Sequence, residues 1–571
     1  MISGLPSGGG VTADAAFALH PAAAGSTVRA MDAAPPPTSA PAADATARPD
    51  RLLQGALVLA SLMLALPMLL PRWLPLLDLP QHVGAVAILA GGPEDWAFSR
   101  YYTVDLLGSP YLLPYLLAAA LAKLVGAKLA VHALFALAAG LWPFATATAL
   151  GGFGRDRHAA LLLAPLAYGT FVFMGFLNFA LSLPIFLFWL GWFRGRVSAA
   201  RWRARDGWIG AALGIGLYYG HVMSFAFALG AAGLIVLLTP TLPGRSAVSS
   251  LGVRALRALH LAPGAALLTG WALFSETAGK GELGRMVGGA MAHEPPRWDA
   301  PLDRAKQLFD HMLATYHDKS DEWLLYALWA GLAASALARR APERNEGDGP
   351  RALPLALWSA AVACALFLPA TYRGIWPIAA RMAPFVLALL VLLPAGRLRW
   401  PRGTLALGLG LTLATAWTHT ARLQRFEAEV GPLEAALEPL PPGSKLMTLV
   451  FDKYSRVVTW PAFLHVSQYA LATRGGVAEF SFVNFTKSPI HYVESEAPPR
   501  LPARFEWTPE RYDHRTWGTY YDHVLVRGPA ARAEALFRRG GPAMREVVRA
   551  GPWTLFARVD DAAPPTRPAG D

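Results

Sequence analysis

Residues 52–70 read LLQGALVLASLMLALPMLL and run directly into PRWLPLLDLPQH at 71–82. The first stretch holds no charged side chain, and a bilayer core of about 30 Å needs about 20 such residues per crossing. Backbone groups in lipid must pair within their own segment, so the stretch reads as a transmembrane helix. The second stretch sets a carboxylate, Asp78, and an imidazole, His82, just beyond the end of that helix. Upstream, residues 1–50 are rich in Ala, Pro, Gly, Ser and Thr, with little apolar surface to offset the cost of ordering. They are expected to be a disordered cytoplasmic tail. A signal peptide would need an apolar run near the start, so residues 52–70 are expected to stay as an anchor.

Downstream, apolar runs recur at about 129–150, 159–174, 176–193, 208–220, 222–239, 257–275, 322–338, 354–370, 382–395 and 404–420. With the first, these give a polytopic α-helical membrane protein of about eleven transmembrane helices. The composition agrees: 54% of the 571 residues are hydrophobic and only 16% are charged. The formal charge of +12 does not indicate nucleic acid, because the arginines sit in short links between apolar runs instead of forming one basic face. Arg155/Arg157, Arg194–Arg205, Arg245–Arg257, Arg339–Arg344 and Arg397–Arg402 fall in alternate links, which the positive-inside rule makes cytoplasmic. The links 71–128, 276–320 and 371–381 then face outward. Within the first of them, 79–90 and 111–125 are short for spans and read as interfacial or re-entrant helices. The alternative is that 111–125 is a twelfth crossing, with the N-terminal tail outside. A single cysteine, Cys364, excludes an intramolecular disulfide.

The pattern changes after Thr420. Strands are expected at 445–452, 477–483 and 523–527, helices at 462–473 and 530–539, and a hairpin over 545–559 turning at Gly551-Pro552. The chain thus divides into the tail 1–50, a membrane domain 51–421, and a small extracytoplasmic α/β domain 422–571.

Polar residues stand out against this apolar background. If Pro80 opens a helix, Asp78 and His82 lie one turn apart and can serve as a general base or metal-binding pair, or Asp78 simply caps that helix. Asn178, in GFLNF at 175–179, and His221, in YYGH at 218–221, occupy tight turns between spans on the same outward side. Polar groups at membrane depth are costly and often functional, although each can also satisfy its own turn. Arg373 and Arg381 bracket the last outer loop, where guanidinium forks suit a phosphate or snorkel to the headgroups. His293-Glu294 and Asp310-His311 lack the spacing of a recognised metal site and read as parts of a solvated loop.

The layout, and the motifs DLPQH at 78–82, GFLNF at 175–179 and the helix start at Arg381, resemble the GT-C superfamily of membrane glycosyltransferases over about residues 52–420. The resemblance implies transfer of a sugar from a polyprenyl-phosphate carrier to an acceptor on the outer face of the membrane, with membrane lipids as surroundings, and the richness in Arg and Ala points to a high-GC bacterium and hence to its inner membrane. It implies Asp78 as base, with Arg381 and Arg373 or His82 holding the departing phosphate. Many members carry an acidic pair in the first outer loop. Here Leu79 follows Asp78, so Asp105 is the candidate second carboxylate, and a divalent metal depends on it. The competing readings are a transporter or flippase for a lipid or polysaccharide, and a non-catalytic assembly protein.

Overall fold

The computed structural model describes residues 50–91, 96–106, 109–274, 295–340, 352–372, 375–479, 481–484, 488–502 and 504–559. The tail expected to be disordered lies outside the described residues. Helical structure occurs in each of the eleven apolar runs, but among the described residues three helices are long and apolar enough to cross a membrane by length and composition: Arg51–Leu69, Ala127–Gly152 and Leu177–Arg196. Of the eleven expected crossings, three thus have the length and apolarity of a full span among the described residues. The run 159–174 forms a 3-10 helix, Arg157–Tyr168, that stops at Gly169 before a short α-helix, Thr170–Phe173. A further run is broken by a 3-10 turn at Leu259–Leu261, and another ends at Leu390.

Of these three, Ala127–Gly152 packs on both of the others through small residues, Gly140 against Ser61 and Gly152 against Gly191. Gly152 and Gly191 face each other so closely that a Cβ on Gly152 would lie 2.0 Å from the Gly191 carbonyl oxygen. Such close backbone approach is the usual way helices associate where lipid supplies no hydrophobic drive. The helices Leu79–Gly91 and Leu112–Val125 have 13 and 14 residues. At 1.5 Å per residue each is roughly 20 Å long, short of a full crossing.

The helix Pro401–Val430 continues past the end of its apolar run and leads into the C-terminal α/β region. There β2 (Lys445–Val450), β3 (Val477–Ala478), β5 (His523–Arg527), β6 (Met544–Ala550) and β7 (Trp553–Arg558) form a sheet in the order β3-β2-β5-β7-β6. β2 is parallel to β3 and β5, while β7 is antiparallel to β5 and β6. β2 is buried along nearly its whole length, as an apolar strand inside a covered sheet should be. Trp553, fully buried, donates its indole N–H to the Val430 carbonyl at 2.7 Å and so ties the sheet to the long helix.

This region is seated on the helical unit. β4 (Ile490–Tyr492) pairs antiparallel with β1 (Tyr102–Val104), with Tyr102 opposite Tyr492. The helix Ser467–Arg474 lies against Leu79–Gly91 so tightly that a Cβ on Gly84 would meet Gln468 Oε1 at 2.4 Å. Gln81 Oε1 accepts from the Phe482 N–H at 2.9 Å.

Glu479, just after β3, is 3% exposed and accepts hydrogen bonds from Thr448 Oγ1 at 3.3 Å and Ser467 Oγ at 3.2 Å. Burial pushes its carboxyl pKa from 4.5 up to about 8. Between those values the folded chain holds a proton that the unfolded chain has released. Its contribution to stability is thus fully present below about pH 4.5 and is lost as pH rises towards about 8. The slope approaches about 1.4 kcal/mol per pH unit. Glu479→Gln is expected to match the wild type in thermal unfolding at low pH and to exceed it above about pH 8. Parallel pH profiles for the two proteins would contradict this account of Glu479.

Candidate functional site

The chain turns sharply after the first helix, and the turn is held by a second, distant turn. The Leu77 and Asp78 N–H groups donate to the Phe173 and Met174 carbonyls at 3.0 and 3.2 Å. Gly175, at φ +80°, leaves no room for a side chain, because a Cβ there would lie 2.5 Å from the Asp78 nitrogen. GFLNF at 175–179 is therefore the platform on which Asp78 sits. This requirement for glycine is both conformational and steric.

Asp78 precedes the Leu79–Gly91 helix, and the His82 N–H donates to its carbonyl at 3.1 Å. The one-turn spacing read from the sequence is present, but the His82 ring does not serve as a second base. Its Nε2 donates to the Gly175 carbonyl at 2.8 Å, which leaves Nδ1 to accept from the Tyr115 hydroxyl at 2.9 Å. Both nitrogens of this buried ring have partners, so His82 holds the Gly175 turn in place.

On the far side of that platform, Arg381 lies over the Phe176 ring, 4.7 Å from guanidinium carbon to centroid, in a cation–π arrangement. Its Nη1 lies 3.1 Å from His221 Nε2, and the Met223 nitrogen at the start of the next helix lies 3.3 Å from His221 Nδ1. A neutral imidazole accepts at one nitrogen only, and the shorter bond from the guanidinium to Nε2 puts the ring proton on Nδ1. The His221 ring also packs against Tyr111 and Phe179, at 5.4 and 5.1 Å between centroids. Asn178 Nδ2 donates to the Tyr111 carbonyl at 3.2 Å. Arg381 is close enough to interact electrostatically with both Tyr111 and Asp78. Asp78, Asn178, His221 and Arg381 thus converge from four separate segments. Among the described residues, Arg381 Nε and Asn178 Oδ1 are buried without a hydrogen-bond partner, leaving a donor and an acceptor unused in this cluster.

His465, which no local signal in the sequence marks, also reaches this site from the C-terminal region. Its Nδ1 lies 3.1 Å from the Leu77 carbonyl and 3.5 Å from Asp78 Oδ1. A carbonyl only accepts, so the proton is on Nδ1 and stands between that carbonyl and the carboxylate. His465 is 5% exposed, whereas the Asp78 side chain remains 17% exposed.

Asp105 sits elsewhere. It is exposed at the end of β1, where its N–H donates to the Pro489 carbonyl at 2.8 Å, and it belongs with the β1–β4 pairing instead of forming an acidic pair with Asp78. Arg373 and His293-Glu294 lie outside the described residues. Among the described residues, no three His, Cys, Asp or Glu side chains gather into a metal-binding group. Asp78 and His465 alone do not make a divalent-metal site, and no step below uses one.

No protein-family model and no curated protein matches the chain. Solved structures that resemble it include the following two. The apo crystal structure of ArnT from Cupriavidus metallidurans covers 90% of this chain and 99% of its own, at 12% identity and a TM-score of 0.53. The cryo-EM structure of the arabinofuranosyltransferase AftD from Mycobacteria covers 90% of this chain and 40% of its own, at 14% identity and a TM-score of 0.50. This chain shares with both a GT-C-like fold. At these identities the likeness is one of fold.

Proposed function

We propose that this GT-C-like chain transfers a sugar from a polyprenyl-phosphate donor to an acceptor hydroxyl on the outer face of a bacterial inner membrane, the face that carries the C-terminal α/β domain. The observation that carries the reading is the convergence of a partly exposed carboxylate, Asp78, with a guanidinium, Arg381, across the Gly175-Phe176 platform. Asp78 takes the proton of the acceptor hydroxyl as its oxygen bonds to the sugar's anomeric carbon. The bond from that carbon to the phosphate oxygen breaks, and its electron pair leaves with the polyprenyl phosphate. Arg381, oriented by His221 and Phe176, offers its remaining N–H groups to the charge that develops there. Asn178 and His82 act by holding the two turns, and Asp105 has no assigned step. Labelled sugar passing from lipid to a non-lipid product in nanodiscs tests the reading. A label that stays on the lipid with every donor would reject it.

His465 is the positioning residue in this scheme, since its Nδ1–H fixes the Asp78 carboxylate relative to the Leu77 carbonyl. Small misplacements of a reacting group cost up to about a hundredfold in rate. His465→Gln is expected to lower kcat by about tenfold to a hundredfold with little change in KM for the donor, and His465→Asn, whose amide nitrogen can approach the Nδ1 position, to recover part of the loss. Equal kcat in all three proteins would remove His465 from the scheme.

A further inference from the structure

A cavity of about 420 Å³ is lined by Ala380, the residue directly before Arg381. One wall is a face of the helix Pro301–Leu313, where Arg304, Gln307 and His311 recur at intervals of three and four residues. The opposite wall is Trp376-Pro377 and Ala379-Ala380, and Ala380 directly precedes Arg381. The two sites also connect through rings. His311 stacks on Phe171 at 6.2 Å, Phe171 on Phe176 at 6.1 Å, and Phe176 lies under Arg381.

The lining has a mixed character. Arg304 is 4% exposed, and its Nη1 donates to the Leu366 carbonyl at 3.2 Å and to that of Leu368. Its Nη2 is buried with no hydrogen-bond partner among the described residues. Asp299, 4.0 Å from Arg304 Nε, supplies acceptors. His311 Nδ1 donates to the Gln307 carbonyl at 2.7 Å, which leaves Nε2 as an acceptor, and the Gln307 amide offers both kinds of group. Trp376 is about half exposed and packs on Trp460 at 6.4 Å, and the Trp460 indole N–H is buried and unpartnered among the described residues.

An anionic headgroup fits this lining poorly. The Asp299 carboxylate, 4.0 Å from Arg304 Nε, balances the guanidinium charge and repels a phosphate, and two carbonyls already accept from Nη1. A sugar ring fits better. Each hydroxyl both donates and accepts, as the mixed lining requires, and the C–H face of the ring can lie on an indole. The volume is in the range of small-molecule sites.

We propose that this cavity binds a sugar unit of the acceptor, so that the acceptor is a glycan and not a protein or a phosphate-headed lipid. The inference rests on the transfer reading for its meaning, but its test does not. Saturation-transfer NMR on the full chain in nanodiscs, with a panel of methyl hexosides, methyl pentosides and disaccharides, reads binding without turnover. At least one saccharide is expected to bind the wild type and Asp78→Asn alike. Binding should fall at least tenfold in Trp376→Ala and in Gln307→Trp, two exposed positions where substitution spares the core. The inference is overturned if no saccharide binds, if both cavity variants bind as the wild type does, or if only inorganic phosphate or a Ser/Thr peptide binds. Saccharide binding that survives alongside full turnover by Asp78→Asn would reject the catalytic role of Asp78 and leave the cavity assignment standing.

Discussion

Asp78→Asn is expected to lower sugar transfer by about 10²- to 10⁴-fold, the range for loss of a general base, while the protein remains folded. The substitution keeps the shape of the side chain and removes its ability to take a proton. The main-chain bonds that seat residue 78, from its N–H to Met174 and from the His82 N–H to its carbonyl, do not involve the side chain and persist. The loss should therefore appear in kcat, with donor affinity and thermal unfolding near wild type. Initial rates in nanodiscs, with unfolding measured on the same preparation, check this. A variant that turns over at the wild-type rate would remove Asp78 from the chemistry.

Arg381→Gln is the second large effect. A donor aimed at charge that develops only in the transition state is typically worth about 10²- to 10³-fold in rate. Glutamine keeps a hydrogen-bonding group but loses the charge, the fork and the stacking on Phe176. Arg381→Lys restores the charge without the planar fork and should fall between the two. The kinetic pattern discriminates: kcat and kcat/KM should drop together in Arg381→Gln. A rise in donor KM with kcat unchanged would mean that Arg381 only binds the donor and does not favour its departure.

Much of the helical framework was legible because long apolar runs admit few alternatives, and the hairpin at Gly551-Pro552 was legible because its turn residues are explicit. Boundaries read less well where a change in polarity was mistaken for a change in structure. The last long helix was expected to end at Thr420, where charged residues begin. Charge alone does not break a helix, and this one continues to Val430, ending before Gly431 at φ +66°. The expected strand at 477–483 shrinks to two residues followed by a 3-10 turn, because the chain there turns to meet Gln81.

The candidate site divides along the same line. Asp78, Asn178, His221 and Arg381 could be picked out singly because each is polar where its neighbours are apolar, and the structure brings them together. The fate of the His82 ring could not be read, since it depends on Tyr115 and Gly175 meeting it from two other segments. His465 left no trace in its own neighbourhood, because its partners are Leu77 and Asp78, far away in the sequence. The Arg304 cavity was hidden for a related reason. Its helix face carries charged residues that read in the sequence as a solvated loop, and the facing wall comes from Trp376, Pro377, Ala379 and Ala380.

The central claim is that the Asp78–Arg381 cluster breaks a sugar–phosphate bond. The most direct test is mass spectrometry of the lipid extract after purified protein in nanodiscs meets a panel of polyprenyl-phosphate sugars. The account predicts free polyprenyl phosphate accumulating with at least one donor in the wild type and not in Asp78→Asn. Donor lipid recovered intact from folded wild-type protein across the whole panel would contradict it.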